Sequence, residues 1–243
     1  MAPDHNEPAL INRVIQRTAD GSHTLFIPEI NEHYHSVNGA IQEARHVFID
    51  AGLRLLPKEK IRILEIGFGT GLNALLTLLE TEKMGKSLIE YYAVERHPLP
   101  AEVTDALNYE ELICPARKGL LASLHTAPWD MTVRITKRFI LHKIKGDSNC
   151  CELPASLDLV YFDAFAPDKQ PEMWNQKIFD TLYSCMAEGG LLTTYCAKGV
   201  VRRMMEKAGY SVERIPGPPG KREMIRASGH SSNVSIFSTK AER

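Results

Sequence analysis

Two kinds of hydrophobic run alternate along this chain. "IRILEIG" from Ile61, "LIEYYAVE" from Leu88, "RFILHKIKGD" from Arg138, "LDLVYFD" from Leu157 and "GGLLTTYC" from Gly189 are short, nearly continuous apolar runs. They read as buried strands. Between them, apolar residues three and four apart predict helices over Leu72 to about Met84, from about Ala101, over Gln176–Glu188 and over Gly199–Ala208. Strand and helix in alternation predict an α/β fold, a doubly wound and mostly parallel sheet. The tail "YSVERIPGPPGKREMIRAS" reads as two strands around a Pro-Gly loop, an antiparallel C-terminal pair. "MTVRITKRFILHK" reads as a further hairpin inserted before the third strand.

The first part of the chain has a different pattern. Asp20–Gly21 in "VIQRTADGSHTLFIPE" separates two strand-like runs, a hairpin signal. "NGAIQEARHVFIDAGLRLL" then puts Ala40, Ala44, Val47, Phe48, Ala51 and Leu55 on one face of a helix that Pro57 closes. This predicts a hairpin-and-helix extension over 1–57, followed by the main domain over 58–243.

At 243 residues the chain is long enough for such a domain with an attached piece. Its 44% hydrophobic and 24% charged residues fit a soluble globular protein. No apolar run approaches the roughly 20 residues of a membrane helix. The opening MAPDHNEPAL lacks the basic and apolar regions of a secretory signal. Five cysteines, an odd number without CxxC pairs, point to a reducing cytoplasm, with Cys150 and Cys151 as ordinary thiols. His33 and His35 read as local polar residues, and no spacing predicts a metal site. The net charge of −1 requires any nucleic-acid partner to be held by a local patch. One is present: eight basic and three acidic residues lie between Ala197 and Arg226, with Lys221 and Arg222 on the stiff "PGPPGKREM" loop.

The candidate chemistry sits where strands end. "LEIGFGTGLN" carries Gly67, Gly69 and Gly71 between the first strand of the main domain and a helix. Glycines there let the backbone turn tightly and approach a ligand. The G-x-G-x-G spacing is neither the dinucleotide G-x-G-x-x-G nor a P-loop. Glu95 ends the next strand, where a carboxylate can accept both hydroxyls of a ribose. Asp147 ends the third and can hold an adenine amino group. Asp163 ends the fourth, ahead of "AFAPDKQPEMW", a loop restricted by Pro167 and Pro171. Phe165 offers a flat face for stacking on a base, and Trp174 reads as core.

The glycine loop followed by two acids at successive strand ends resembles the class I S-adenosylmethionine-dependent methyltransferases. The resemblance implies S-adenosylmethionine as cofactor. It implies that Glu65, the loop residues Gly67, Phe68, Gly69, Thr70 and Gly71, and Asn73 face its methionine part, with Glu95 at the ribose and Asp147 at the adenine. Asp163 then lies near the transferable methyl.

"FDAFAPDKQPEMW", "VVRRMMEKAGY", "GPPGKREMIRA", "EIGFGTGLN" and "EHYHSVNGAIQEARHVFI" together resemble the tRNA 5-methylaminomethyl-2-thiouridine methyltransferase family. This implies methylation of the amine of 5-aminomethyl-(2-thio)uridine at the wobble position. The partner is then the tRNA anticodon stem-loop, with Asp163 catalytic and Phe165, Lys221 and Arg222 on the substrate. The best-known members carry a second, FAD-dependent oxidase domain. This chain ends at Arg243, and a stand-alone transferase without FAD is the expectation. Three alternatives stay open: a small-molecule or protein acceptor, polyamine synthesis from decarboxylated cofactor, and a non-catalytic RNA-binding protein with a relict cofactor fold.

Overall fold

The computed structural model describes residues 12–85 and 87–229; the opening MAPDHNEPAL lies outside them. Strands β1 (Val14–Arg17) and β2 (His23–Ile27) form the hairpin anticipated around Asp20–Gly21, with Val14 opposite Phe26 and Arg17 opposite His23. A short β3 (Glu32–His33), which the sequence pattern does not announce, adds a third strand against β2. Asp20 fastens the turn. Its carboxylate accepts from the Ser22 amide (3.0 Å) and, further along the chain, from the Gln42 amide (2.9 Å).

The helix anticipated over residues 39–56 is divided. Helix α1 (Ala40–Ala44) widens into a π turn over Arg45–Asp50, and a 3-10 turn covers Leu53–Leu55. Each change of winding rotates the face that follows it. Leu53 and Leu56 are therefore buried, and Leu55, expected on the buried face, stands 43% exposed.

The main sheet begins with β4 (Lys60–Ile66), α2 (Leu72–Met84) and β5 (Leu88–Glu95). Three short helices follow: α3 (Ala101–Thr104), α4 (Tyr109–Ile113) and α5 (Leu120–Thr126). Then come β6 (Thr132–Thr136), β7 (Phe139–Lys145), β8 (Leu157–Phe162) and α6 (Gln176–Cys185). The chain finishes with β9 (Met186–Thr194), α7 (Gly199–Ala208), β10 (Ser211–Pro216) and β11 (Glu223–Ser228). Helix α6 stops three residues before the expected Glu188, because Met186 already pairs with Leu157 as the first residue of β9.

The sheet has eight strands in the order β10–β11–β9–β8–β4–β5–β7–β6. Its centre, β9 to β7, is parallel, and antiparallel pairs close both edges. All six residues of β8 are buried, as a central strand covered on both faces requires. Leu159 and Tyr161 face the layer containing Phe48 and α2, and Val160 and Phe162 face α6 and α7. From β4 the chain builds outward through β5 and β7, then crosses back to β8 and β9 on the other side. Neighbours β4 and β8 are thus the switch point, where α/β sheets open a crevice at their carboxyl ends. Among the described residues, no helix is long and apolar enough to cross a membrane.

Candidate active site

Ile66 lies opposite Phe162 at the ends of β4 and β8, so Gly67 and Asp163 leave the sheet side by side. Gly67 has φ +91°, and a Cβ there would stand 3.0 Å from the Asp163 carbonyl oxygen. Gly69, at φ +47°, lies under the Tyr34 ring, 3.2 Å from where its Cβ would be. Left-handed backbone and close approach both favour glycine at these two positions.

The loop forms one wall of an open cavity of about 920 Å³, including the solvent at its mouth. Of the residues singled out in the sequence, Gly67, Phe68, Gly69, Thr70, Asn73, Glu95, Asp147, Asp163 and Phe165 line it. Glu95 joins two walls: Oε2 accepts from the Gly69 amide (3.0 Å) and Oε1 from the His97 amide (2.7 Å). Asp147 accepts from the backbone and side-chain amides of Asn149, 2.9 and 3.1 Å away. The backbone amide, with help from Arg96, holds its carboxyl below the usual range.

The loop after Asp163 is fixed from several directions. The Trp174 indole donates to the Phe165 carbonyl (2.7 Å), and the Tyr195 hydroxyl donates to the Ala164 carbonyl (2.9 Å). Trp174 itself packs in the core against Phe162, with ring centroids 4.8 Å apart. Phe165 instead faces the cavity and meets the edge of Tyr34 at 5.1 Å. One oxygen of Asp163 accepts from Asn73 (2.8 Å). Burial pushes the Asp163 carboxyl up to about 7, with Asn73 and Lys221 acting in the opposite sense.

Four expected site residues stand elsewhere. Glu65 is fully buried beneath the cavity and reaches it only through Asn73. Gly71 backs onto His125 and Leu121. Lys221 turns inward, its ammonium paired with Glu43 and 4.4 Å from the centre of the Tyr195 ring. Arg222 is exposed to solvent. Much of the basic stretch is likewise ion-paired: Lys198 with Asp168, Arg202 with Glu206, Arg214 with Glu223 and Arg226 with Glu213.

Sequence reasoning passed over several residues that build the site, and took His35, which lines the cavity, for a local polar residue. Tyr34, Arg13 and His35 come from the N-terminal segment and line the cavity, with Arg13 Nε donating to the Tyr34 hydroxyl at 3.0 Å. Burial drives the His35 imidazole down to about 4, so it is neutral at pH 7. Lys143 is 1% exposed, packs its ammonium on Trp129 and Phe68, and donates to the His125 carbonyl (2.5 Å). The His125 ring bonds the Thr70 carbonyl at 2.9 Å. The "EHYHSVNG" block flags Tyr34 and His35, whereas nothing local flags Lys143.

A nucleoside-bearing sulfonium amino acid fits this cavity. Thr70 Oγ1 and Asn73 Oδ1 are buried acceptors without a hydrogen-bond partner among the described residues, on the wall where the glycine loop lies. An α-ammonium would satisfy both. No group of three or more His, Cys, Asp or Glu among the described residues is arranged to hold a metal ion.

The glycine loop, the switch point and the antiparallel final pair together define a class I methyltransferase fold. Residues 121–230 match the family described as S-adenosyl-L-methionine-dependent methyltransferase, which makes S-adenosylmethionine the cofactor. Relatives of the chain include the tRNA 5-methylaminomethyl-2-thiouridine biosynthesis bifunctional protein MnmC of Stutzerimonas stutzeri, 33% identical over 84% of this chain and 33% of that one. The protein of the same name from Ralstonia nicotianae is 31% identical over 90% of this chain and 34% of that one. The chain thus spans about one third of the length of these curated relatives. The crystal structure of MNMC2 from Aquifex aeolicus superposes with a TM-score of 0.76 and 26% identity, covering 92% of this chain and 73% of that one.

Proposed function

We propose that this chain methylates the primary amine of 5-aminomethyl-uridine, with or without the 2-thio group, at the wobble position of tRNA in the cytoplasm. The observation that carries the reading is a single cavity joining a nucleoside-binding wall to a shielded carboxylate, Asp163. The names of the relatives supply the acceptor. In this reading residues 58–243 are the methyltransferase domain, and the segment before them roofs its cavity through Arg13, Tyr34 and His35.

The roles follow from the chemistry of each group. Gly67 to Thr70 cradle the methionine end of the cofactor, Thr70 Oγ1 and Asn73 Oδ1 accept from its ammonium, Glu95 takes the ribose and Asp147 the adenine end. When bound, the cofactor supplies an electrophilic methyl on a sulfonium. An alkylamine acceptor has a pKa near about 10 and arrives mostly protonated. Asp163, with its carboxyl near 7, is ionised in part at neutral pH and suited to take that proton. One of its oxygens is held by Asn73, which leaves the other for the amine. Phe165 and Tyr34 offer ring surface to a base turned out of the anticodon loop.

The decisive experiment is nucleoside mass spectrometry of tRNA from a strain lacking the gene. Accumulated 5-aminomethyl-uridine, converted by the purified protein and S-adenosylmethionine, supports the proposal. An unaltered nucleoside profile sinks it. Transfer to a free nucleoside as fast as to tRNA would favour a small-molecule acceptor instead.

Two further results are expected. Glu95→Ala removes a charged acceptor and should weaken cofactor binding by about 1.5–3 kcal/mol in calorimetry. An unchanged dissociation constant takes Glu95 out of the site. Lys221 and Arg222 should separate: Arg222→Ala flattens the salt dependence of tRNA binding, since one fewer counterion is released. Lys221→Ala leaves that slope alone and slows transfer, because the ammonium is turned toward Glu43 and Asp163. Equal salt slopes for the two variants would reverse this assignment.

A further inference from the structure

The amide of Asn73 makes an arrangement that cofactor binding does not explain. An asparagine amide has two N–H hydrogens. Here one goes to Glu65 Oε1 at 2.9 Å and the other to Asp163 Oδ2 at 2.8 Å. Asn73 is 3% exposed and Glu65 is fully buried. We propose that Asn73 is the positioning residue for Asp163: by gripping Glu65 and Asp163 at once, it orients the Asp163 carboxylate and favours its ionised form. The proposal rests on the reading of Asp163 as the carboxylate that meets the acceptor.

The electrostatics follow from this grip. An amide N–H only donates, so both oxygens that face it act as acceptors. Two carboxyls that share one amide, one of them fully buried, do not readily ionise together. Burial first, and the Asp163 charge second, hold the Glu65 carboxyl well above the usual range. Glu65 therefore keeps its proton, and Asp163 is the member of the pair that ionises near neutrality. Groups face Asp163 from every side: Glu65 and Tyr91 from β4 and β5, Glu43 from α1, Tyr195 after β9, and Lys221 between β10 and β11. Of these, Lys221 alone carries a positive charge, and its ammonium is already paired with Glu43. The hydrogen bond from Asn73 is thus the main contact that favours Asp163 as an anion. It is also anchored, because Glu65 holds the same amide from below.

The test combines a titration with a double-mutant cycle. In ¹³C-aspartate-labelled protein without cofactor, the Asp163 carboxyl is expected to titrate near 7, and Asn73→Ala should move that midpoint upward. In single-turnover methyl transfer at pH 7, Asn73→Ala should lose about tenfold or more and recover in part at about pH 9. With cofactor saturating, so that loss of the Asn73 Oδ1 contact to its ammonium does not register, the same substitution in the Asp163→Asn background should cost less than about twofold further. Should Asn73→Ala not fold, Asn73→Ser, too short to hold both acids, is expected to give the same upward shift. An unmoved midpoint, or losses that simply multiply, with Asp163→Asn itself inactive, overturns the proposal alone. Normal transfer by Asp163→Asn overturns the reading of Asp163 and this proposal with it.

Discussion

Asp163→Asn is expected to lower single-turnover methyl transfer by about 10²-fold or more, the usual scale for a lost acid–base group. It should leave cofactor affinity nearly unchanged, because the 67–70 loop, Glu95 and Asp147 sit on other strand ends and Asn73 meets the cofactor through Oδ1 rather than the Nδ2 that holds Asp163. The substitution keeps the size of the side chain and one acceptor oxygen, and removes its charge. If Asp163 takes the proton, raising the pH should restore part of the rate, since more of the amine then arrives neutral. If it only aims the amine, the deficit should persist at high pH. Near-normal transfer at pH 7 would reduce Asp163 to a residue that ends a strand.

The same substitution has a stability signature of opposite sign. The folded Asp163 carboxyl lies near 7, above its ordinary value of 3.8. The contribution of this group to stability is therefore fully present below about 3.8 and lost as pH rises through about 7. The variant cannot ionise there and escapes that loss. Melting curves at pH 5 and pH 8 should show Asp163→Asn gaining on the wild type at the higher pH. A variant that melts lower by the same amount at both values would contradict the raised carboxyl.

Phe162→Ala, one residue earlier, is expected to act on the fold, at a cost of about 3–5 kcal/mol in denaturant unfolding. Phe162 is fully buried at the end of the central strand β8, with Trp174 at 4.8 Å and Phe179 at 5.3 Å between ring centroids. Its removal opens a cavity directly beneath the Asp163 loop. Phe165→Ala, at the cavity wall, should cost clearly less stability and more affinity for tRNA. Comparable destabilisation by both would mean that Phe165 is a core residue like Trp174.

Much of the architecture was legible because it is periodic and local. The buried runs and helical spacings between Ile61 and Ala208 foretell the parallel sheet. Glycines after "LEI" and acids at the ends of "YYAVE", "IKGD" and "VYFD" point to the carboxyl edge of the sheet. Trp174 reads as core, and it packs there against Phe162 and Phe179.

What only the tertiary structure decided concerns which way side chains turn and what distant segments bring. Glu65 shares its strand face with Ile61 and Ile63, so the period of two in β4 buries it under α2 and leaves Asn73 to touch the cavity. Lys221 looks like a phosphate contact in a basic loop. Glu43, 178 residues away in the chain, draws its ammonium inward instead. The "EHYHSVNG" block marks Tyr34 and His35, but neither their place in the roof beside Arg13 nor the buried Lys143 behind Phe68 has a local signature. Each depends on contacts between segments far apart in sequence, and those exist only once the sheet has closed its switch point against the N-terminal strands.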